Sequence, residues 1–298
     1  GNSSIFSGYP ALPEISISMH PEKHRKIRTI NEELKSYSTN YLFGGDLKYE
    51  NIGSYFMDHN FQHVEDEKVF PSNLSRGKLN YFDSDLYALL LKKMNSTKEP
   101  FLHCAFTGST HAPYDHPKSK NPRFKGEEAD YMNSMVYADK CLGDFIANCK
   151  TKPWFKNTIF VFVSDHGHPS PGLTNPNSKV FFRIPFLIWG EELKDTYRGK
   201  INDKIGSQAD IAATLLYQVG GNLKKFPWSK DLLNPSCPEF ALLAINRGYG
   251  WVSKKGHYVY QMDSKTELEN SFLKEDQKEE IKNCNAFLTR FYKDFKDL

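Results

Sequence analysis

An α/β fold is predicted, with a mainly parallel central sheet flanked by helices, then a small antiparallel C-terminal meander and a terminal helix. Three observations predict it. Short apolar runs rich in aromatic and β-branched residues recur at 38–43, 101–106, 159–163 and 183–189, with helix-period segments between them. The first three of these runs end in small polar residues and an acid or a histidine, as strand ends do when they face a ligand crevice. From Phe240 to Met262 the pattern changes to short strands separated by Gly and Lys-Lys-Gly turns, which reads as an antiparallel meander.

Residues 1–20 give a turn at Ser7-Gly8-Tyr9-Pro10 and a Ser-rich link. Ile27, Ile30 and Leu34, with Glu32 and Glu33 near the start, predict a short amphipathic helix over 29–36. The strand 38–43 ends in Gly44-Gly45-Asp46, and a helix follows through 51–57. After a loop over 70–80, Leu86, Leu89, Leu90 and Met94 share one face of a helix capped by Asp83 or Ser84. Phe101–Phe106 is a buried strand leading into Thr107-Gly-Ser-Thr-His-Ala-Pro-Tyr114, with His111 at the loop tip. The longest helix runs over 127–148, with Tyr131, Met135, Ala138, Leu142, Phe145 and Ile146 as its apolar stripe.

Ile159–Val163 has the length and composition of a strand buried on both faces. At its end stand Asp165, His166 and His168. An acid and two imidazoles there look like a site, and Asp and His side by side can each present a lone pair from a fixed backbone to a hard or borderline divalent cation. A second buried strand follows over 183–189. The helix opening at 206–216 carries Ser207 and Asp210 in its first turn, where capping is the default role. The tail, roughly 271–295, is a charged helix that docks through Ile281, Phe287, Leu288, Phe291 and Phe295.

Composition excludes several classes. The 298 residues suffice for a large buried core, and the net charge of +3 is spread without a basic block, so nucleic acid is not an expected partner. The 22 Phe and 16 Tyr are chiefly core. No apolar run approaches the roughly 18 residues that a membrane span needs. The five cysteines show no C-x-x-C spacing, and Cys141 and Cys149 lie about 12 Å apart on one helix, too far to bridge. Cys104, Cys141 and Cys149 are expected to be inaccessible. Nothing in the sequence sets the oligomeric state.

The strand followed by Ser164-Asp165-His166-Gly167, preceded by the strand followed by Thr110-His111-Ala-Pro-Tyr114, resembles the sulfatase-like branch of the alkaline phosphatase superfamily. Within it the chain is most similar to the lipoteichoic acid synthase and phosphoglycerol transferase group of bacterial membrane enzymes. Ser7-Gly8-Tyr9-Pro10, Tyr41-Leu-Phe-Gly-Gly-Asp46, Phe182–Trp189, Ser207–Leu216 and Arg247-Gly-Tyr-Gly250 agree with it. The resemblance implies an alkaline phosphatase-like sheet, with residues 1–238 as the C-terminal portion of a catalytic domain and 239–298 packed on the same domain. It implies one divalent cation, manganese by preference with magnesium, zinc or calcium as alternatives, held in part by Asp165 and His166. His111 corresponds to the histidine that contacts the substrate phosphate. Asp46 and His168 are expected on the substrate side, and Gly44 stands where relatives commonly carry histidine.

The resemblance also places a Thr nucleophile, and a further acidic ligand, before Gly1, so residues 1–298 alone are expected to be inactive. The implied substrate is a phosphorylated or sulfated small molecule, lipid head group or glycan. The implied setting is a parent enzyme anchored in the bacterial inner membrane with this domain outside the cytoplasm. A sulfuric ester hydrolase and a catalytically degenerate binding module are the alternative readings.

Overall fold

The computed structural model describes residues 1–298. It opens with α1 (Asn2–Ser7), α2 (Pro21–His24) and α3 (Ile30–Glu33), the last begun by a capping box between Thr29 and Glu32. Then come β1 (Ser38–Phe43), α4 (Ile52–Asp58), β2 (His63–Glu65), α5 (Asp83–Ser96), β3 (Phe101–Phe106) and α6 (Ala129–Cys149). β4 (Phe160–Val163), β5 (Phe186–Trp189) and α7 (Asp210–Gln218) follow. The chain ends in β6 (Phe240–Ile245), β7 (Gly248–Ser253), β8 (Gly256–Gln261), β9 (Thr266–Asn270) and α8 (Lys274–Asp297).

β1 lies between β2 and β3 and pairs parallel with both, with Phe43 opposite Phe106, so the ends of β1 and β3 are level. Successive side chains of β1 enter opposite cores, as strand geometry requires. Leu42 packs with Leu86, Leu90, Phe145, Trp154 and Phe160, joining the sheet to α5, α6 and β4. Tyr41 packs with Phe6, Tyr55, Phe56 and Leu216, joining it to α1, α4 and α7, and its ring stacks on Phe56 at 3.9 Å.

β4 departs from the expectation in its neighbours. It pairs only with β5, antiparallel, with Val163 opposite Phe186. The predicted burial of β3 and β4 on both faces is corrected too: apart from Phe160 their residues are half-buried, and Ile159 is 40% exposed. The reason is topological, since β3 is paired only with β1 and β4 only with β5, leaving one edge of each uncovered. The stripe of α6 is corrected as well. Ser134, Cys141, Phe145 and Cys149 are buried, while Met135 stays 43% exposed, because the helix rolls to pack that face toward α5.

The C-terminal sheet is a meander in the order β6, β7, β8, β9, antiparallel throughout, as predicted, with β9 as an added strand. Gly248 is required there, because a side chain would meet the Tyr260 carbonyl at 2.3 Å. α8 docks Cys284 and Leu288 against Trp251, Tyr258 and Phe272 of this sheet region. All five cysteines are free thiols; four are buried and Cys104 is half-buried. No helix is long and apolar enough to cross a membrane.

Candidate active site

Two loops carry most of the chemistry. The first leaves β3, and its anchor is Asp83. The sequence favours this residue, or Ser84, as the cap of α5, but Phe82 occupies that position. Asp83 is 1% exposed and its Oδ1 accepts the backbone N–H groups of Gly108 and Ser109, both at 3.1 Å. Its own N–H donates to Ser109 Oγ at 3.0 Å. Burial raises the Asp83 pKa, and those backbone donors oppose the rise. The loop that carries His111 is thereby tied to the start of α5.

His111 is exposed, and its Nδ1–H donates to the Ala112 carbonyl at 2.7 Å. That bond sets the tautomer and leaves the Nε2 lone pair free. Asp46, beyond β1, is also exposed and accepts Lys48 N–H at 2.9 Å, a local turn bond that engages none of the other candidates. The loops after β1 and β3 approach each other at Asn80, which bridges to Gly45 and lies against Gly108.

The second loop leaves β4. Asp165 Oδ1 accepts the His166 N–H at 2.9 Å, and Ser164 Oγ donates to the His166 carbonyl at 2.7 Å. His166 repeats the arrangement of His111: its Nδ1–H donates to the Gly167 carbonyl at 2.6 Å, which leaves Nε2 as a lone pair. That nitrogen stands 3.5 Å from Asp165 Oδ2. Two lone pairs face each other there with no hydrogen between them, an arrangement satisfied by a shared cation or by protonation of His166. The donor atoms therefore fit two positions of a divalent ion. No third His, Cys, Asp or Glu completes a metal-holding group in residues 1–298.

Gln208, at the start of the segment that becomes α7, clamps this loop. Its Nε2 donates to the Ser164 carbonyl at 2.8 Å and to the Asp165 carbonyl at 2.7 Å. Asp210 fixes the turn that holds Gln208 by accepting the Ser207 N–H at 2.7 Å and pairing with Lys230 at 2.7 Å. The capping expected from sequence is corrected: Ala209 is the N-cap, without a side-chain cap bond, and Asp210 instead ties back to Ser207 and forms half of a buried ion pair.

His168 joins the two loops. Its ring stacks on Tyr131 at 3.7 Å and 8°, and Ser170 N–H donates to its Nδ1 at 3.0 Å. The proton is then on Nε2, which donates to the Tyr114 hydroxyl at 2.9 Å. Burial holds its pKa below the ordinary histidine value; the charges of His166 and His111 push the same way. The Tyr114–His168 bond therefore joins the loop of His111 to the loop of Asp165 and His166, while Asp46 makes a local turn bond. No local pattern marks Asp83, Gln208, Tyr114 or Tyr131 as supports, because each acts through a tertiary contact.

The start of the chain meets the mouth of the second loop. Gly1 packs against Asp165, where an added Cβ would come within 2.6 Å of its carbonyl oxygen. Glu50 and Asn51 both hold left-handed backbone, with φ of 47° and 57°, pinned by Ser18 Oγ donating to the Glu50 carbonyl and by Asn51 Nδ2 donating to the Ser18 carbonyl.

Comparison with known proteins fits this architecture. A family model described as Sulfatase matches residues 2–221. The chain is 24% identical over 237 residues to phosphoglycerol transferase I of Xanthomonas campestris pv. campestris, covering 75% of this chain and 33% of that protein. It therefore spans about a third of the length of that curated relative. Among solved structures, a protein of the alkaline phosphatase superfamily from Vibrio parahaemolyticus superposes with a TM-score of 0.82 at 23% identity, covering 99% of this chain and 75% of that one. The lipoteichoic acid synthase LtaP of Listeria monocytogenes superposes with a TM-score of 0.76 at 19% identity, covering 100% and 79%. These likenesses show an alkaline phosphatase-like α/β fold.

Proposed function

The chain belongs to the sulfatase family, and on that premise we propose that the natural-length protein transfers or hydrolyses a phosphoryl group, most specifically a phosphoglycerol or similar head group. The observation that carries the reading is the Asp165–His166 pair, whose donor atoms stand 3.5 Å apart at a strand end. One divalent cation, manganese by preference, is held in part by these two residues. When bound it supplies charge neutralisation and activation of a hydroxyl nucleophile.

The chain's own residues do the rest. The Gly167 carbonyl holds His166 in one tautomer, and Gln208 keeps the loop in place. His111 presents Nε2 to a phosphoryl oxygen or, once protonated, gives a proton to the leaving alcohol. His168, with its proton on Nε2, and Asp46 line the substrate side. The nucleophile is a Thr or Ser outside residues 1–298, joined upstream of Gly1, and the contact between Gly1 and Asp165 supports its delivery to this mouth. The parent protein is anchored in a bacterial membrane with this domain on the outer side, where a lipid-linked donor lies within reach.

A second reading, sulfuric ester hydrolysis, draws on the family description itself. The test uses the natural-length protein with manganese, assayed on a phosphodiester and on an aryl sulfate. Phosphodiester turnover that falls at least about a hundredfold in Asp165→Asn and His166→Ala supports the proposal. Turnover of the sulfate alone would transfer the assignment to the second reading, and phosphodiester turnover indifferent to both substitutions would refute it. Residues 1–298 alone are expected to bind manganese weakly and to show negligible turnover.

A further inference from the structure

The outer face of α8 carries charge that the fold does not use. Lys278, Lys282, Arg290, Lys293 and Lys296 are all exposed, and none of them enters an ion pair. Their spacing sets them along one side of the helix, and the first four line one shallow groove with Asn285, Ala286 and Thr289 between them. From Lys278 to Lys296 the row runs about 27 Å at 1.5 Å per residue.

A solvated helix usually interleaves acids and bases, so that neighbours three or four apart neutralise one another. Here most acids of α8 are engaged by groups outside the helix. Asp276 and Glu279 pair with Lys255 at 2.9 and 3.5 Å, and Glu280 accepts the Trp251 indole N–H at 3.0 Å. Asp294 accepts from Tyr9 and Trp228 at 3.0 and 3.2 Å. Only Glu275 and Asp297, one at each end, remain without such a partner. The helix is also pinned, with Lys23 donating to the Phe295 carbonyl at 2.7 Å and Cys284, Leu288 and Phe291 buried beneath. The row is therefore carried on a fixed helix, and its five bases outnumber the three exposed acids beside it, Glu275, Glu279 and Asp297.

We propose that this face of α8 docks on an anionic lipid bilayer surface. The row follows one helix and its groove is shallow, so the helix can lie flat while the long side chains reach the head groups. A nucleic-acid site would add an aromatic platform for stacking bases, and no aromatic residue lines this shallow groove. Each Lys or Arg near such a surface strengthens partition by roughly fivefold, and the effect reaches about one Debye length, ~10 Å at 0.1 M salt. This inference stands on the charge pattern alone and does not require the phosphoryl-transfer reading.

The test is cosedimentation of the chain with vesicles of phosphatidylcholine containing roughly one-third phosphatidylglycerol, at 0.1 M and 0.5 M salt. Binding should exceed that to pure phosphatidylcholine, weaken at the higher salt, and fall about a hundredfold or more in a variant combining Lys278→Gln, Lys282→Gln, Arg290→Gln and Lys293→Gln. A variant combining Lys120→Gln, Lys156→Gln, Lys194→Gln and Lys200→Gln, four exposed cations elsewhere, removes the same net charge and should bind nearly as the unmodified chain does. Equal loss in both variants, equal binding to neutral vesicles, or capture by heparin or single-stranded DNA with the vesicles left unbound would overturn the proposal.

Discussion

Asp210→Asn should destabilise the protein by about 3 kcal/mol. Asp210 is 1% exposed and its Lys230 partner 15%, so the pair is desolvated. The carboxylate accepts Lys230 Nζ at 2.7 Å, Lys230 N–H at 3.0 Å and Ser207 N–H at 2.7 Å. Removing one partner of a buried pair costs roughly 3–5 kcal/mol, because the other charge is left without compensation. The lower end applies here, since Asn keeps an acceptor oxygen and Lys230 keeps the Phe240 carbonyl at 3.1 Å and its ring at 4.3 Å. Unfolding entropy of about 2 cal/mol/K per residue over 298 residues gives roughly 0.6 kcal/mol per degree, hence a Tm about 5 °C lower. Calorimetry and urea titration measure it. Adding Lys230→Met should recover at least half of the loss, since the charge it leaves is the main cost. A single-variant loss under about 1 kcal/mol, or a double variant equal to the sum of the singles, would refute the reasoning.

Asp83→Ala strands the N–H groups of Gly108 and Ser109, and should cost about 2 kcal/mol while speeding hydrogen exchange at those two amides relative to β1. Acidification should weaken the fold below neutrality: burial, with the Lys93 charge, lowers His103 to about 4. The unfolded chain binds that proton first, near pH 6.5, so stability is full above this value and is lost as pH falls toward 4, on the order of 2 kcal/mol after allowance for the ring's partial exposure. His24, lowered chiefly by burial, adds in the same direction. Urea midpoints from pH 7.5 to 4.5 should slope less in His103→Leu, and an unchanged slope would exclude His103 as the source. Burial raises the Cys149 and Cys284 thiols to about 12, so neither should react with a thiol reagent at pH 8 until denaturant is added.

The legible parts of this chain are those in which one local pattern has one outcome. β1 is covered on both faces, so its apolar run reads directly as a strand. β3 and β4 have equally apolar sequences, but covering them is a property of neighbours, and each has an unpaired edge. The periodicity of α6 supports two overlapping stripes, one through Met135 and one through Cys141 and Cys149; only packing against α5 selects the second. β9, Thr-Glu-Leu-Glu-Asn, lacks the aromatic or β-branched density of a strand and is held as an edge by pairing with β8.

The candidate site divides along the same line. His111 and His166 were visible because exposed imidazoles at strand ends have few structural reasons to be there, and in the fold each spends Nδ1 on an adjacent carbonyl and keeps Nε2 free. Their supports were invisible for the opposite reason. An Asp at the start of a helix and a Gln beside its first turn have ordinary local uses, so Asp83 reads as a cap and Gln208 draws no reading. Only tertiary structure turns Asp83 toward Gly108 and Ser109, and Gln208 toward Ser164 and Asp165. The groups that hold the loops are thus separable from the groups that would touch a ligand. Substitution of Gln208 should alter the placement of Asp165 while leaving its chemistry intact, whereas Asp165→Asn removes the charge from an unmoved loop.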